Sequence, residues 1–321
     1  MSEDPRNNSR HKRRNWAIST LALTALLIFL FIPGIGPPPR TEAGDNPTVL
    51  TTFTVIADMV RQVGGDRIEV NSITKPGSEI HGYEPTPGDL RRAADADLVV
   101  ENGMNLERWF EQFIGDARTR SVTLTEGITP IPIAGQSEYA GKPNPHAWMS
   151  IANAKIYVEN IRVALTDLDP DGADYFAENA ARYTRQIDAI GQKVDRQLDS
   201  LPTNRRALVT CEGAFSYLAR DFELSEAFLW PVNAEQEGTP QQIAGVVDFV
   251  RARDVPAVFC ESTVSDKAQR RVARESGADF AGVLYVDSLS LADGPVPTYL
   301  DLLSRNGDTI VAGLNPDGSE Q

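Results

Sequence analysis

The chain has 321 residues, of which 41% are hydrophobic, so it is long enough to bury a core and to form two lobes. Its 45 acidic and 31 basic side chains give a formal net charge of −14 and a pI of about 4.7. This charge argues against nucleic acid as the partner, because phosphate backbones are bound by clustered lysine and arginine. It is compatible with a cationic ligand, although an acidic surface that maintains solubility explains it more simply.

Residues 1–47 are predicted to be an export segment followed by a proline-rich linker. The basic stretch RNNSRHKRRN precedes the apolar run at residues 16–32, which is the order of an export signal. The apolar run is near the minimum length for crossing a bilayer, so it could also remain as a membrane anchor. No cysteine follows it, which excludes a lipid anchor on a mature N-terminal cysteine. We therefore expect the folded part to lie in the periplasm or another extracytoplasmic space.

Residues 48–170 are predicted to form an N-terminal α/β lobe. The runs TVLTTF, RIEVNSI and DLVVENG have the composition of strands, and the helical patterns TVIADMVRQVGG and TPGDLRRAADA lie between them. Apolar strands that alternate with helices predict a parallel sheet with both faces covered.

Residues 171–201 are predicted to form one long helix between two lobes. The segment GADYFAENAARYTRQIDAIGQKVDRQLDSL contains no proline, and its apolar residues recur at spacings of three and four. A helix of this length would extend about 40–45 Å at the standard rise per residue.

Residues 202–321 are predicted to repeat the α/β architecture as a C-terminal lobe. The strand-like runs are RALVTCEG, PAVFCES and FAGVLYVDS, and the helical patterns are AFSYLARDF, PQQIAGVVDFVRARD and VSDKAQRRVARESG. The predicted fold class is therefore α/β, with two lobes that each contain a parallel sheet flanked by helices.

Two histidines and two carboxylates are predicted to lie just after strands, where open parallel sheets place ligand sites. These residues are His81, His146, Glu212 and Asp287. Together they would form a compact cation site in the cleft between the lobes. Singly, each has an ordinary alternative: the histidines could be solvated or turn residues, and the acids could cap helices or turns. The third histidine, His11, lies in the basic N-terminal stretch and is expected to have no further role.

The two cysteines, Cys211 and Cys260, each end a predicted strand and precede a glutamate. An even number of cysteines in an exported protein favours a disulfide, which these two could form if their strands are neighbours. The closed loop of about 50 residues would then stabilise the fold by about 4 kcal/mol in the entropy model. Two unlinked thiols and a soft thiolate site for zinc or copper are the alternatives.

Seven segments, in this order, resemble the metal-binding component of bacterial manganese and zinc ABC importers, and more narrowly its cyanobacterial manganese-binding type. They are SEIHGYEPTPGDL, NGMNLERW, NPHAWMS, CEGAFSYLARDF, GTPQQI, FCESTVSD and VLYVDSLS. The resemblance covers about residues 49–314 and implies two α/β lobes joined by one long helix, with the metal between them. It places the four metal ligands on His81, His146, Glu212 and Asp287, and it also favours the bridge between the cysteines.

The resemblance implies a monomeric extracytoplasmic carrier that delivers Mn(II) to an importer permease and its cytoplasmic ATPase. Zinc carriers of this family usually have a third histidine where this chain has Glu212, and many have a histidine-rich loop before the second ligand. Here that region reads PIAGQSEYAGKPNPH, without an extra histidine. Both departures favour manganese, which prefers oxygen-rich sites. Zn(II) and Fe(II) stay as alternatives, because Mn(II) is the weakest binder in the Irving–Williams order.

A mononuclear metalloenzyme is the rival hypothesis, and an adhesin-like surface role is a third. The sequence has no HExxH motif, nucleophile elbow or P-loop, and four protein ligands would leave little room for a substrate. We therefore expect a carrier and not an enzyme. In the loop around His81, Pro85 and Pro87 are expected to fix the chain path, Tyr83 to form a wall of the site, and Glu84 to lie at the surface.

Overall fold

The computed structural model describes residues 46–110, 119–134, 139–232 and 238–315. Residues 1–45 are not among them, so the predicted export signal lies outside the described residues. Within these ranges, no helix combines the length and the apolar character that a bilayer span requires.

The N-terminal sheet has four parallel strands, β1 to β4, in the order β2-β1-β3-β4. Their bounds are Thr48–Thr51, Glu69–Ser72, Leu98–Glu101 and Ser121–Thr123. The first two helices are α1, Thr54–Gly64, and α2, Pro87–Asp95. The predictions for β1 to β3, α1 and α2 are confirmed. The short strand β4 was not predicted, because three residues carry too little pattern to mark a strand.

Two long helices follow: α3, Ile151–Leu168, and α4, Ala173–Asp199. The long helix predicted from the sequence is α4, and its ends lie within two residues of the expected bounds. Six of its predicted apolar positions are buried: Phe176, Ala180, Tyr183, Ile187, Val194 and Leu198. The helices pack closely, since a Cβ atom added at Gly191 of α4 would lie 2.9 Å from the Ile151 side chain. Helix α3 was not predicted.

The C-terminal part contains two parallel strand pairs, β5 with β6 and β7 with β8. The strands are Ala207–Glu212, Ser225–Trp230, Ala257–Glu261 and Asp279–Leu284, and the helices α5 to α8 are Ser216–Asp221, Pro240–Arg253, Lys267–Ser276 and Tyr299–Leu314. The two pairs are linked by Gln269, whose buried amide donates to the carbonyl oxygens of Val209 at 3.0 Å and Phe259 at 2.8 Å. All strand pairs in the described residues are parallel, as expected. Strand β6 and helix α8 were not predicted.

Candidate metal centre

The four residues predicted as ligands lie together. One donor atom from each of His81, His146, Glu212 and Asp287 lies within 4.8 Å of the other three. The two Nε2 atoms are 3.1 Å apart, and Glu212 Oε1 lies 3.4 Å from Nε2 of His81 and 3.5 Å from Nε2 of His146. Asp287 Oδ1 is 3.9 Å from the His146 Nε2 atom. Donors around one ion with bonds of about 2.1 Å are separated by roughly 3.0–3.4 Å, so this spacing is close to that of a coordination shell.

His146 is fully buried and its ring orientation is set by Asn144. The His146 Nδ1 atom lies 2.8 Å from Asn144 Oδ1, and the Asn144 Nδ2 group donates to the Gly213 carbonyl at 2.7 Å. Because Nδ2 is the donor to Gly213, Oδ1 is the acceptor, and Nδ1 of the imidazole must carry the proton. The lone pair of Nε2 is then directed toward the other three residues. His146 was predicted to lie just after a strand, and this position is wrong. It lies directly before the short turn Ala147–Met149, which leads into α3.

His81 lies on the loop between β2 and α2, nine residues after the strand ends. Glu79 accepts the backbone N–H groups of His81 and Gly82, both at 2.7 Å, and the Trp109 indole donates to the Ile80 carbonyl at 3.1 Å. The His81 side chain is 6% exposed, whereas the side chains of His146, Glu212 and Asp287 are 0% exposed. His81 is therefore the one residue of the four that borders the outside of the cluster, where it lines a cavity.

The residues that follow His81 fix the loop as expected. Pro87 is the first residue of α2, and Thr86 and Asp89 form a capping box at its N-terminus. Tyr83 lines the cavity beside His81 and donates its hydroxyl to Asp89 Oδ2 at 3.1 Å, so it lies outside the four-residue cluster itself. Glu84 is exposed, as predicted.

Glu212 is the last residue of β5 and is held from several sides. Cys211 and Cys260 form a disulfide with a Cα–Cα distance of 4.9 Å, which confirms the predicted bridge and joins β5 to β7 directly before Glu212. The Glu212 N–H donates to Oε2 of Glu261 at 3.2 Å. Burial raises the pKa of Glu261 to about 8. The backbone that presents Glu212 is therefore fixed covalently and by hydrogen bonds.

Asp287 lies three residues after β8, in a loop that contacts the N-terminal lobe. Its Oδ2 atom accepts a hydrogen bond from the Thr263 hydroxyl at 3.3 Å. The next residue, Ser288, accepts the Gly77 N–H at 2.7 Å, and the Leu289 N–H donates to the Thr54 hydroxyl at 2.9 Å. These contacts tie the Asp287 loop to the segment that leads to His81.

Both imidazoles are neutral in this environment. Burial lowers the pKa of His81 to about 3, and burial together with the neighbouring His81 holds the pKa of His146 well below its usual value. Two neutral imidazoles and two carboxylates have the donor set of a divalent-cation site, because ligating histidines must be deprotonated.

Three supporting residues were missed from the sequence. Asn144 was interpreted only as a turn former, although an asparagine two residues before a histidine is well placed to bind its ring. Glu79 was not considered at all, and no sequence pattern distinguishes it from the other acidic residues of the chain. The role of Glu261 was also missed, but the two Cys-Glu pairs in the predicted strands gave a signal for it.

Comparison with known proteins gives one matching family model, which is described as "Zinc-uptake complex component A periplasmic" and covers residues 49–313. The iron-binding protein YfeA of Yersinia pestis is 52% identical over 83% of this chain and 86% of its own length. The manganese-binding lipoprotein MntA of Halalkalibacterium halodurans is 34% identical over 90% of this chain and 96% of its own.

A solved structure provides an independent comparison of the fold. The Mn-bound periplasmic metal-binding protein from Candidatus Liberibacter asiaticus is similar with a TM-score of 0.79 and 37% identity. The match covers 84% of this chain and 100% of that chain. A match of this extent and TM-score shows that the two chains share the same overall fold.

Proposed function

Because this chain belongs to the family of periplasmic zinc-uptake component A, we propose that it captures Mn(II) outside the cytoplasm and delivers it to an ABC-type importer. Its partners are the membrane permease of that importer and the cytoplasmic ATPase that drives it. In this role the metal is cargo that the protein binds and releases unchanged, and the protein acts as a monomer.

The observation that carries this proposal is the convergence of four donor residues, three buried and one partly buried, whose donor atoms all lie within 4.8 Å of one another. His81 and His146 precede α4, whereas Glu212 and Asp287 follow it, so the proposed site is shared between residues 48–170 and 202–321. A shared site allows binding and release to be linked to small movements of the two parts. The four protein ligands also enclose the ion, which suits a carrier better than a catalyst that needs an open position.

The chemistry of the donors supports manganese as the cargo. Glu212 and Asp287 supply hard oxygen atoms, and either carboxylate can bind through one or two of them. Tetrahedral zinc sites prefer nitrogen and sulfur ligands, so a third histidine or a cysteine would favour zinc more than Glu212 does. The relatives named for iron and for manganese bind different metals, so Fe(II) and Zn(II) are the alternatives that the tests must separate.

The first test is metal analysis of the protein purified from its native compartment without added metal. We expect manganese as the main bound metal, at about one ion per chain. Iron or zinc as the main metal at this stoichiometry would refute the choice of manganese but retain the carrier. A chain without any bound divalent metal, and without affinity for one in calorimetry, would refute the carrier itself.

The second test is Glu212→His, which replaces a hard carboxylate with a third imidazole. We expect the Mn(II) affinity to fall by at least tenfold, or about 1.4 kcal/mol, while the Zn(II) affinity falls much less or rises. Competition calorimetry would measure both metals.

Two further variants serve as controls for this substitution. Glu212→Ala should weaken both metals, because it only removes a ligand. Glu84→His adds an imidazole at an exposed position of the His81 loop and should leave both affinities nearly unchanged. Equal losses for Mn(II) and Zn(II) in Glu212→His would show that this carboxylate does not set the preference.

A further inference from the structure

A cavity of about 610 Å³ lies directly outside the metal centre. His81 lines it, and the aromatic side chains of Tyr83, Trp109 and Tyr139 form much of its wall. Because His81 is the ligand residue on this side of the cluster, a species in the cavity would touch the metal centre through the His81 ring.

The charged side chains in the described lining of this cavity are basic, whereas the protein as a whole is acidic. The lining includes Arg108 and Lys142 but no aspartate or glutamate among the described residues, although the chain carries a net charge of −14. Both bases are exposed, and no carboxylate in the described parts of the chain lies within salt-bridge distance of either. The Lys142 Nζ atom lies 5.1 Å from the centre of the Tyr139 ring.

A basic mouth is unfavourable for a bare divalent cation. Two positive charges repel the ion as it approaches, whereas clefts that attract a charged ligand are lined by the opposite sign. The same charges favour a carboxylate, which both arginine and lysine bind through charge-assisted hydrogen bonds. The charge therefore matches an anionic form of the metal better than the free ion.

The wall that carries Arg108 is built from an unusual turn. Gly103, Met104 and Asn105 have φ values of 88°, 52° and 62°, so three consecutive residues lie in the left-handed region. Such conformations are strained in non-glycine residues and concentrate at ligand sites. Buried Glu107 holds the turn by accepting the N–H groups of Asn102 at 2.8 Å and Gly103 at 3.2 Å.

We propose that this cavity binds the metal as an anionic complex with a small polycarboxylate, for which citrate is the test ligand. Arg108 and Lys142 bind the carboxylates, and the metal is transferred by ligand exchange. Each metal–carboxylate bond that breaks is replaced by a bond to a side chain of the site, beginning with His81, and the chelator leaves as the free anion. The inference rests on the proposed carrier function and specifies the form in which the cargo arrives.

The test compares the initial rate of Mn(II) loading from two solutions with the same free Mn(II) concentration. One contains enough citrate to bind most of the total metal, and the other contains no citrate. We expect the native protein to load at least about fivefold faster from the citrate solution, because the complex adds a second route. Rapid mixing followed by separation of protein-bound metal gives the rate.

Arg108→Glu/Lys142→Glu should abolish this acceleration. The matched control is Lys267→Glu/Arg274→Glu, which makes the same change in net charge at two exposed bases of α7 that do not line the cavity. The control should retain the acceleration. Both variants should keep the thermal stability of the native protein, since none of the four bases is a ligand residue. The cavity variant should bind free Mn(II) at least as tightly as the native protein, because two repelling charges are replaced by attracting ones.

The outcomes separate this inference from the proposed function. Equal loading rates from both solutions, or equal slowing in both variants, would overturn the citrate route while leaving the carrier in place. Failure of the native protein to bind Mn(II) from either solution would overturn the proposed function and this inference with it. Loss of acceleration in the cavity variant alone would support the inference.

Discussion

His81 and His146 differ in how the fold holds them, although their Nε2 atoms are only 3.1 Å apart. His146 is fully buried, and Asn144 binds its Nδ1 atom. His81 lies on a loop that is braced through its backbone by Glu79, and its side chain borders the cavity. Together with Glu212 on its disulfide-linked strand, His146 forms a fixed side of the site, and His81 forms an accessible side. The difference teaches that the four residues of one cluster can be held unequally, with three fully buried and one beside a cavity.

The first way to test this comparison is to loosen the fixed side. In Cys211→Ser/Cys260→Ser, the loop closed by the disulfide is released, and we expect the free energy of unfolding to fall by about 4 kcal/mol. Chemical denaturation of the metal-free proteins under non-reducing conditions would measure it. Mn(II) affinity should fall as well, because the backbone before Glu212 is no longer tied to β7. A variant that loses stability but keeps full affinity would show that the hydrogen bond to Glu261 fixes Glu212 without the disulfide.

The second test asks whether His81 stays enclosed in the metal-free protein. With a pKa of about 3 when folded, His81 remains neutral where the unfolded chain, with a pKa near 6.5, is already protonated. The unfolded state therefore binds more protons between these values, and stability is lost as the pH falls below 6.5. His81→Asn removes this pH-dependent loss of stability. Between pH 7 and pH 5, the free energy of unfolding of the variant should therefore rise by about 2 kcal/mol relative to that of the native protein.

Denaturation in the presence of a chelator at both pH values would measure this difference. If the His81 loop opens to solvent when no metal is bound, the difference between the two proteins will not change with pH. His146→Asn should show a pH-dependent gain in either case, because His146 also packs against Trp148 and Asn144, which do not belong to that loop. A pH-independent result for both variants would remove the distinction between a fixed and an accessible imidazole.

Much of this architecture could be predicted from the sequence, because the patterns involved are long or local. The 27-residue helix α4 carries its apolar face in every turn, and the strands that lead to Glu212 and Asp287 are marked by apolar runs. Helix α3 could also have been found, since Ala154, Val158, Ile161 and Leu165 recur at helical spacing. The order of motifs pointed to the four candidate ligand residues, where spacing alone left each of them ambiguous.

The remaining features depend on contacts between distant segments. The sequence cannot show that Asn144 reaches Gly213, 69 positions away, or that Glu261 accepts the N–H of Glu212, 49 positions away. The cavity could not be predicted for the same reason, because its lining residues come from segments that are separate in the sequence. Secondary-structure patterns predict the strands and helices that surround the site. The hydrogen bonds that support its side chains form only between distant segments of the folded chain.

The last prediction contrasts the supports of the two imidazoles directly. Asn144→Ala removes the acceptor that fixes the His146 ring, and such supporting groups typically contribute tenfold or more to metal affinity. We expect about a tenfold loss of Mn(II) affinity in Asn144→Ala, measured by calorimetry. Glu79→Gln should cost less, because a neutral amide oxygen can still accept one of the two backbone N–H groups and no contact to the His81 ring is lost.

Asn144→Asp separates ring orientation from the contact to Gly213, because it keeps an acceptor for Nδ1 but loses the Nδ2 donor. Affinity near the native value in this variant would assign the effect to the orientation of the His146 ring. If Glu79→Gln weakened Mn(II) binding as much as Asn144→Ala, His81 would be as firmly positioned as His146. The accessible side of the site would then be set by the position of His81 beside the cavity, and not by a looser hold on its ring.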